Sequence, residues 1–270
     1  MYFEGGIPSK AIKKTNLITY LLVVTGVTGY QMIVPDSLIS SIATTMLLAG
    51  AYVNQENPAM KELTRYHDEK VMGFATLIES RDSSTGGHVK RTTQYVKLLA
   101  EGLKNRGYYA EILTKDYMKN LIKAAPMHDV GKIGIPEQIL SKPGRLTEEE
   151  YEIMKGHVES SIEIIRHLPS LNYVIPAVIG HHERYDGKGY PRRIAGEDIP
   201  LSARILGISD AFDAMISKRC YKQAQPLEKV LGILKEEAGK QFDPNLVPIF
   251  IQAIENGKIK VIYDAGQNPA

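Results

Sequence analysis

Cysteine is almost missing from this chain: Cys220 is the single one in 270 residues. That excludes a disulfide framework and a thiolate-rich zinc or iron–sulfur centre, so any metal must be held by nitrogen and oxygen. An excess of charge of either sign is missing too. Lys plus Arg number 33 against 31 Asp plus Glu, a formal net charge of +2, which argues against a nucleic-acid polymer as partner and leaves no acidic tail for a basic one. There is no internal repeat, no low-complexity stretch and no nucleophilic Ser, Cys or Thr motif. An apolar fraction of 43% excludes wholesale disorder. Histidine is sparse, at seven residues, so where each one falls is informative.

Charge itself is missing from one long stretch. From Thr15 to Gln55, 41 residues carry one charged side chain, Asp36. Two apolar runs, Leu17–Val34 and Leu38–Val53, flank Pro35-Asp36-Ser37. Each is near the short end of what crosses ~30 Å of hydrocarbon as a helix. Lys10, Lys13 and Lys14 precede the first run, and Lys61 and Arg65 come after the second. The pattern predicts that residues 1–58 form a hydrophobic membrane hairpin with both ends in the cytoplasm. Gly26, Gly29 and Gly50 would permit close helix contact there. A pair of buried helices in a soluble module is the second reading. An export segment cleaved near Ala49-Gly50-Ala51 is the third.

Beyond Pro58 the composition turns charged and helix-periodic. Met60–Arg81 reads as an amphipathic connecting helix with Leu63, Val71, Phe74, Leu77 and Ile78 on its apolar stripe. Long helices of this kind often pair in parallel, so a homodimer is expected through it. Further helices are predicted over His88–Lys104, Met118–His128, Leu171–His182, Leu201–Ser217, Pro226–Ala238 and Pro244–Glu255. Thr147 with Glu150 three residues on is a capping box opening a helix that runs to about His167. Strand alternation is confined to Lys258–Tyr263. The fold class is therefore all-α, with residues 59–80 as connector and 81–270 as the main helical domain.

Five of the seven histidines sit beside Gly, Asp or another His: His88, His128, His157, His181 and His182. His128 directly precedes Asp129, and Asp210 and Asp213 share one helical segment. Imidazole with carboxylate suits iron, manganese, zinc or cobalt. An adjacent His-Asp pair lets the imidazole bind terminally while the carboxylate bridges. So many donors exceed the needs of one ion and point to two. His67 and His167 stand outside this set. Any one of these histidines alone would read as an ordinary structural residue; together they read as a metal site.

These residues carry a family resemblance. His128-Asp129-Val130-Gly131-Lys132-Ile133-Gly134-Ile135-Pro136 resembles the HD signature of the HD phosphohydrolase superfamily. His181-His182-Glu183-Arg184-Tyr185-Asp186-Gly187-Lys188-Gly189-Tyr190-Pro191 resembles the second signature of its HD-GYP subfamily. Arg81-Asp82, Gly87-His88 and Arg91 are similar to the opening motif. Ser141–Thr147 and Lys155-Gly156-His157 match the subfamily's segment between the two signatures. Asp210–Met215, with Arg219, Tyr221 and Lys222, matches its segment after the second signature, and Gln241-Phe242-Asp243-Pro244 its terminal motif. The likeness spans about Glu79 to Ile262.

The resemblance implies an all-helical domain that hydrolyses cyclic di-GMP, a bacterial second messenger, to linear pGpG and often on to GMP. Carried over by position, one metal would take His88, His128, Asp129 and Asp210. The other would share Asp129 and take His157, His181 and His182. Iron or manganese is the expected pair. Arg219 and Lys222 would contact substrate phosphate, and Gly189, Tyr190 and Pro191 would shape the substrate pocket. Asp213 would contact substrate or hydrogen-bond a metal ligand. Some relatives place a third-metal glutamate where this chain has Ser84, so two ions are expected, not three.

The chemistry fits on general grounds. Two divalent ions roughly 3.5–4 Å apart lower the pKa of a bridging water and neutralise charge building on phosphorus. Such a hydroxide needs no protein nucleophile. Lys132 would stabilise a phosphate oxygen or help protonate the leaving oxygen, with Asp129 as the bridging carboxylate; a plain ion pair to Asp129 or Glu183 is its other reading. Tyr190 or Tyr185 could stack on a guanine base. A different class of function is a catalytically slow cyclic di-GMP receptor or adaptor that signals through Met60–Arg81. Another HD-type hydrolase, acting on a nucleoside triphosphate or alarmone, is the third. The expected setting is a cytoplasmic catalytic domain anchored in the bacterial inner membrane through residues 15–55.

Overall fold

The computed structural model describes residues 58–81, 87–217 and 224–256. The charge-poor stretch 15–55, Ser84, Cys220, Arg219, Lys222 and the expected tail strand over 258–263 lie outside the described residues. The chain divides into two units, Met1–His67 and Asp68–Ala270. Among the described residues there are ten α-helices, one isolated bridge between Ala238 and Phe242, and no strand, so the all-α expectation holds. No described helix is long and apolar enough to cross a membrane.

Helix α1 is Pro58–Glu79, α2 is His88–Asn105, α3 is Lys115–Ala124 and α4 is Glu137–Leu140. Then come α5 (Glu148–Lys155), α6 (His157–Arg166), α7 (Ile175–Gly180) and α8 (Leu201–Ile216). The chain closes with α9 (Leu227–Glu236) and α10 (Leu246–Glu255). Helix α2 packs on α8 and α10, α7 on α8, and α6 on the 3-10 turn Val130–Gly134.

The apolar stripe expected on α2 is the one it buries: Val89, Val96, Leu99 and Leu103. Tyr95, Phe212 and Phe250 join α2, α8 and α10 through two edge-to-face contacts, with centroids 5.1 Å and 5.2 Å apart. Each ring is fully buried, worth about 1.5–3 kcal/mol apiece as transferred area. Gly207 lets α7 approach α8, because a Cβ there would lie 2.7 Å from the His181 carbonyl. That approach brings the end of α7 beside Asp210.

Three helices expected to be continuous are broken. The 118–128 helix ends at Ala124 and tightens into a 3-10 turn, Ala125–Met127. Pro126 lies in that turn, where its missing amide costs no α-helical bond. The helix expected to run from Thr147 to His167 is two, α5 and α6, divided at Gly156. The 171–182 segment is a 3-10 stretch, Pro169–Val174, leading into the short α7. The first two breaks sit next to His128 and His157, and the short α7 ends just before His181.

Candidate metal centre

The breaks aim the imidazoles. His128, His157 and His181 each place Nδ1 within 2.6–2.7 Å of the carbonyl three residues back, Ala125, Met154 and Val178 respectively. A carbonyl only accepts, so Nδ1–H donates and the lone pair falls on Nε2. His88 opens α2 and is fixed differently: its Nδ1 lies 2.7 Å from Asp213 Oδ2. The Nε2 atoms of His88, His128, His157 and His181 are all buried and have no hydrogen-bond partner. Each would cost about 1–3 kcal/mol if it served nothing.

The four converge on two carboxylates. Asp129 Oδ2 lies 3.3 Å from His128 Nε2, and its Oδ1 lies 3.3 Å from His157 Nε2. Asp210 Oδ1 lies 3.4 Å from His88 Nε2 and 3.7 Å from His128 Nε2. Two donor groups result, His88 with His128 and Asp129, and Asp129 with His157, His181 and His182; within each, the donor atoms lie within 4.8 Å of one another. Asp129 belongs to both. Buried imidazole nitrogens without hydrogen-bond partners, facing carboxylates, are the donor set of a nitrogen–oxygen divalent-metal site. All seven donor residues named from the sequence are thus in one place.

The halves differ electrostatically. Burial disfavours charge on His128, yet the Asp129 and Asp210 carboxylates prevail and push its pKa up to about 10. Burial likewise opposes ionisation of Asp129, but His128 and then Lys132 hold it well below the usual range. Asp210 is also held down against its burial, by His128 and then His88. On the other side, burial and then its imidazole neighbour drive His181 well below its ordinary value and His182 down to about 3. Those two therefore stay neutral, the form that donates a lone pair to a metal.

A second tier of side chains holds the donors. Asp213 is 1% exposed, and its two oxygens accept from Arg91 Nε at 2.7 Å and Arg91 Nη2 at 3.0 Å while it orients His88. Of the two roles read for Asp213, the contact seen is the one to a candidate donor, His88. Arg91 also reaches Ser217 Oγ at 2.9 Å. Ser161 Oγ accepts from the Gly131 amide at 2.8 Å and donates to the His128 carbonyl at 3.1 Å. Glu79, at the end of α1, accepts from the His88 amide at 2.6 Å. Glu79 and Ser161 were not singled out from the sequence, since neither lies in a spacing that marks chemistry. Gly131 did lie in a motif, and the structure gives its reason: a Cβ there would sit 2.0 Å from the His157 carbonyl. Lys132 Nζ is 2.7 Å from Asp129 Oδ2, at the edge of the centre.

Residues 74–246 match the HD domain family. The chain belongs to the HD domain family. A cyclic di-GMP phosphodiesterase of Vibrio cholerae serotype O1 (strain ATCC 39315 / El Tor Inaba N16961) is 38% identical over 221 residues, covering 79% of this chain and 45% of its own. A 3'3'-cGAMP-specific phosphodiesterase 2 from the same organism is 40% identical over 199 residues, covering 72% of this chain and 36% of its own. The chain thus spans less than half the length of either relative. A solved structure described as a HDG"Y"P protein from Bdellovibrio bacteriovorus superposes with a TM-score of 0.51 at 17% identity, over 74% of this chain and 66% of that one. That likeness is one of fold.

The loop after His182 carries the stretch that resembles the HD-GYP signature. Gly189 is required there, because a Cβ would lie 2.3 Å from the Arg184 nitrogen. The Tyr190–Pro191 peptide is cis. Tyr190 N–H donates to the His182 carbonyl at 3.2 Å, and its ring stacks on the His182 ring at 4.8 Å and 28°. Burial first, then neighbouring Tyr151 and the two carboxylates, push its phenol above its ordinary value. Glu183 accepts from the Arg192 amide at 2.7 Å and ties the loop to itself. Beside the centre lies a cavity of about 320 Å³ whose walls include His182, Asp210, Gly189, Tyr190, Arg184 and Gln241. Pro191 is not part of its lining. The far wall carries a buried ion pair, Arg204 Nη1 to Asp243 Oδ2 at 2.5 Å.

Proposed function

We propose that this chain hydrolyses a phosphodiester bond of cyclic di-GMP to give linear pGpG, with GMP as the product of a second cleavage, using two divalent ions, iron or manganese. The observation that carries the reading is the set of buried Nε2 atoms without partners around a shared carboxylate. The two Vibrio cholerae relatives, named as phosphodiesterases of cyclic di-GMP and of 3'3'-cGAMP, support the substrate class. His88, His128, Asp129 and Asp210 would hold one ion; Asp129, His157, His181 and His182 the other. When bound, the pair supplies Lewis-acid activation of water and neutralises charge on the reacting phosphoryl group.

The chain's own residues do the rest. Asp213 and the backbone carbonyls of Ala125, Met154 and Val178 keep four imidazoles in the donor tautomer. Lys132 carries a cation beside Asp129, where it can meet a phosphate oxygen or the leaving oxygen. Gly189, Tyr190 and Pro191 shape the substrate loop. Arg219 and Lys222 come after α8 in the chain and are assigned to substrate phosphate, Arg through its planar fork. Anchoring to a membrane through residues 15–55 rests on their lack of charge, and pairing of two chains rests on the exposed Leu63 and Leu77 of α1.

The test is the purified protein, loaded anaerobically with Fe(II) or Mn(II) and given cyclic di-GMP and 3'3'-cGAMP separately, with products resolved by chromatography and metal counted. Linear dinucleotide from cyclic di-GMP, at a rate reduced at least about a hundredfold in His128→Ala and Asp129→Ala, is the expected result. Faster turnover of 3'3'-cGAMP would correct the substrate. Tight binding without turnover at full metal loading would turn the reading to a receptor or adaptor.

A further inference from the structure

Tyr151 lies on α5, a helix that sends no donor into the metal centre, and no motif picks it out. Its ring nevertheless lines the same cavity as His182 and Asp210. It is 47% exposed, and it is not part of the hydrophobic core. Tyr190, one of the two tyrosines anticipated as a stacking surface, already has His182 against its ring. Tyr151 instead meets Tyr190 edge to face, at 6.3 Å and 82°. Lys155, one turn along α5, holds its Nζ 5.1 Å from the Tyr151 ring and 5.7 Å from the Tyr190 ring. Glu152 pairs with the same ammonium from the solvent side.

The Tyr151 ring is therefore held on a capped helix between Tyr190 and Lys155, with about half of the residue exposed and part of it lining the cavity. A flat, pre-ordered aromatic surface beside a cation suits a planar heteroaromatic group joined to a phosphate. We propose that Tyr151 and Lys155 form a base-binding subsite, in which Tyr151 stacks on one purine of the cyclic dinucleotide while a phosphodiester lies at the metal centre. The inference rests on the phosphodiesterase reading above.

The chain contains no tryptophan, so Tyr151→Trp places a unique fluorophore in the subsite. The metal-loaded protein and its Tyr151→Ala, Tyr151→Phe and Tyr151→Trp variants are assayed with cyclic di-GMP. Loss of base stacking costs on the order of tenfold to a hundredfold in affinity. Tyr151→Ala is expected to raise KM by about tenfold or more with kcat within about threefold. Phe rescues KM, and Tyr151→Trp emission falls on mixing with the dinucleotide. An unchanged KM in Tyr151→Ala, with the wild type active, overturns the subsite and leaves the hydrolysis standing. An inactive wild type whose Trp variant is still quenched upholds the subsite and overturns hydrolysis. No turnover and no quenching overturn both.

Discussion

At the scale of single residues, the centre is built from side chains whose second polar atom is already committed. Asp213 shows it best. Its carboxylate holds His88 through Nδ1 and is itself held bidentately by Arg91. Asp213→Asn keeps the shape but loses the charge that fixes the tautomer and strengthens the imidazole as a donor. Outer partners of this kind are worth roughly 10–100-fold in metal affinity or activity. Chelator titration of the loaded variant should show a loss of that size, while far-ultraviolet circular dichroism stays that of the parent. An unchanged chelator midpoint would mean that Arg91 and α2 alone orient His88. The candidate donors that the structure brings together were legible as a set in the sequence, because histidine is rare and each one stood in its own motif. Glu79 and Ser161 were not. Their work is to accept or donate one hydrogen bond across the fold, and neither composition nor spacing encodes a contact between distant segments.

At the scale of elements, periodicity identified the buried face of α2 but not that of α1, where Leu63, Phe74 and Leu77 of the expected stripe are exposed, and it did not show where a helix stops. Val96, Leu99 and Leu103 read correctly as a core stripe, since a 3.6-residue repeat is a property of the sequence. The breaks at Ala124 and Gly156 did not, because a chain can keep its apolar period across a joint. Those joints are where backbone carbonyls near helix ends become available to side-chain donors. His128, His157 and His181 take them, and this turns their Nε2 atoms inward. The capping box was legible, and α5 begins with Thr147 and Glu150 satisfying each other's backbone. Thr147→Ala should lower stability by about 0.5–2 kcal/mol in urea unfolding. Glu150 is drawn below its ordinary carboxylate value, first by Lys142 and then by the Thr147 amide. A depressed carboxylate stabilises the fold above its unfolded value, 4.5, and loses that contribution as pH falls through the folded value. The stability gap between wild type and Glu150→Gln should therefore be full at neutral pH and close in acid below 4.5. A gap independent of pH would show that the hydrogen bonds, and not the charge, do the work.

At the scale of the whole molecule, the described unit has a conventional aromatic core joining α2, α8 and α10, and beside it a centre that is costly without a cation. Divalent metal should therefore stabilise the fold as well as enable chemistry. An ion at about 100 times its dissociation constant adds about 2.7 kcal/mol, which is a rise of roughly 5–10 °C in melting temperature for a unit of this size. Calorimetry with and without Mn(II) or Fe(II) measures it, and His157→Ala should show a smaller rise. No rise in the wild type would mean the imidazoles are satisfied some other way.

One carboxylate with its two oxygens turned toward different neighbours makes the pair of donor groups a single two-compartment vessel with a common partition. Losing a side wall and losing the partition should then have unequal consequences. His157→Ala strips one compartment and should leave close to one equivalent of cation per chain by elemental analysis. Asp129→Ala opens both at once and should leave none, so filling of either compartment raises or lowers the readiness of the other through the same few atoms.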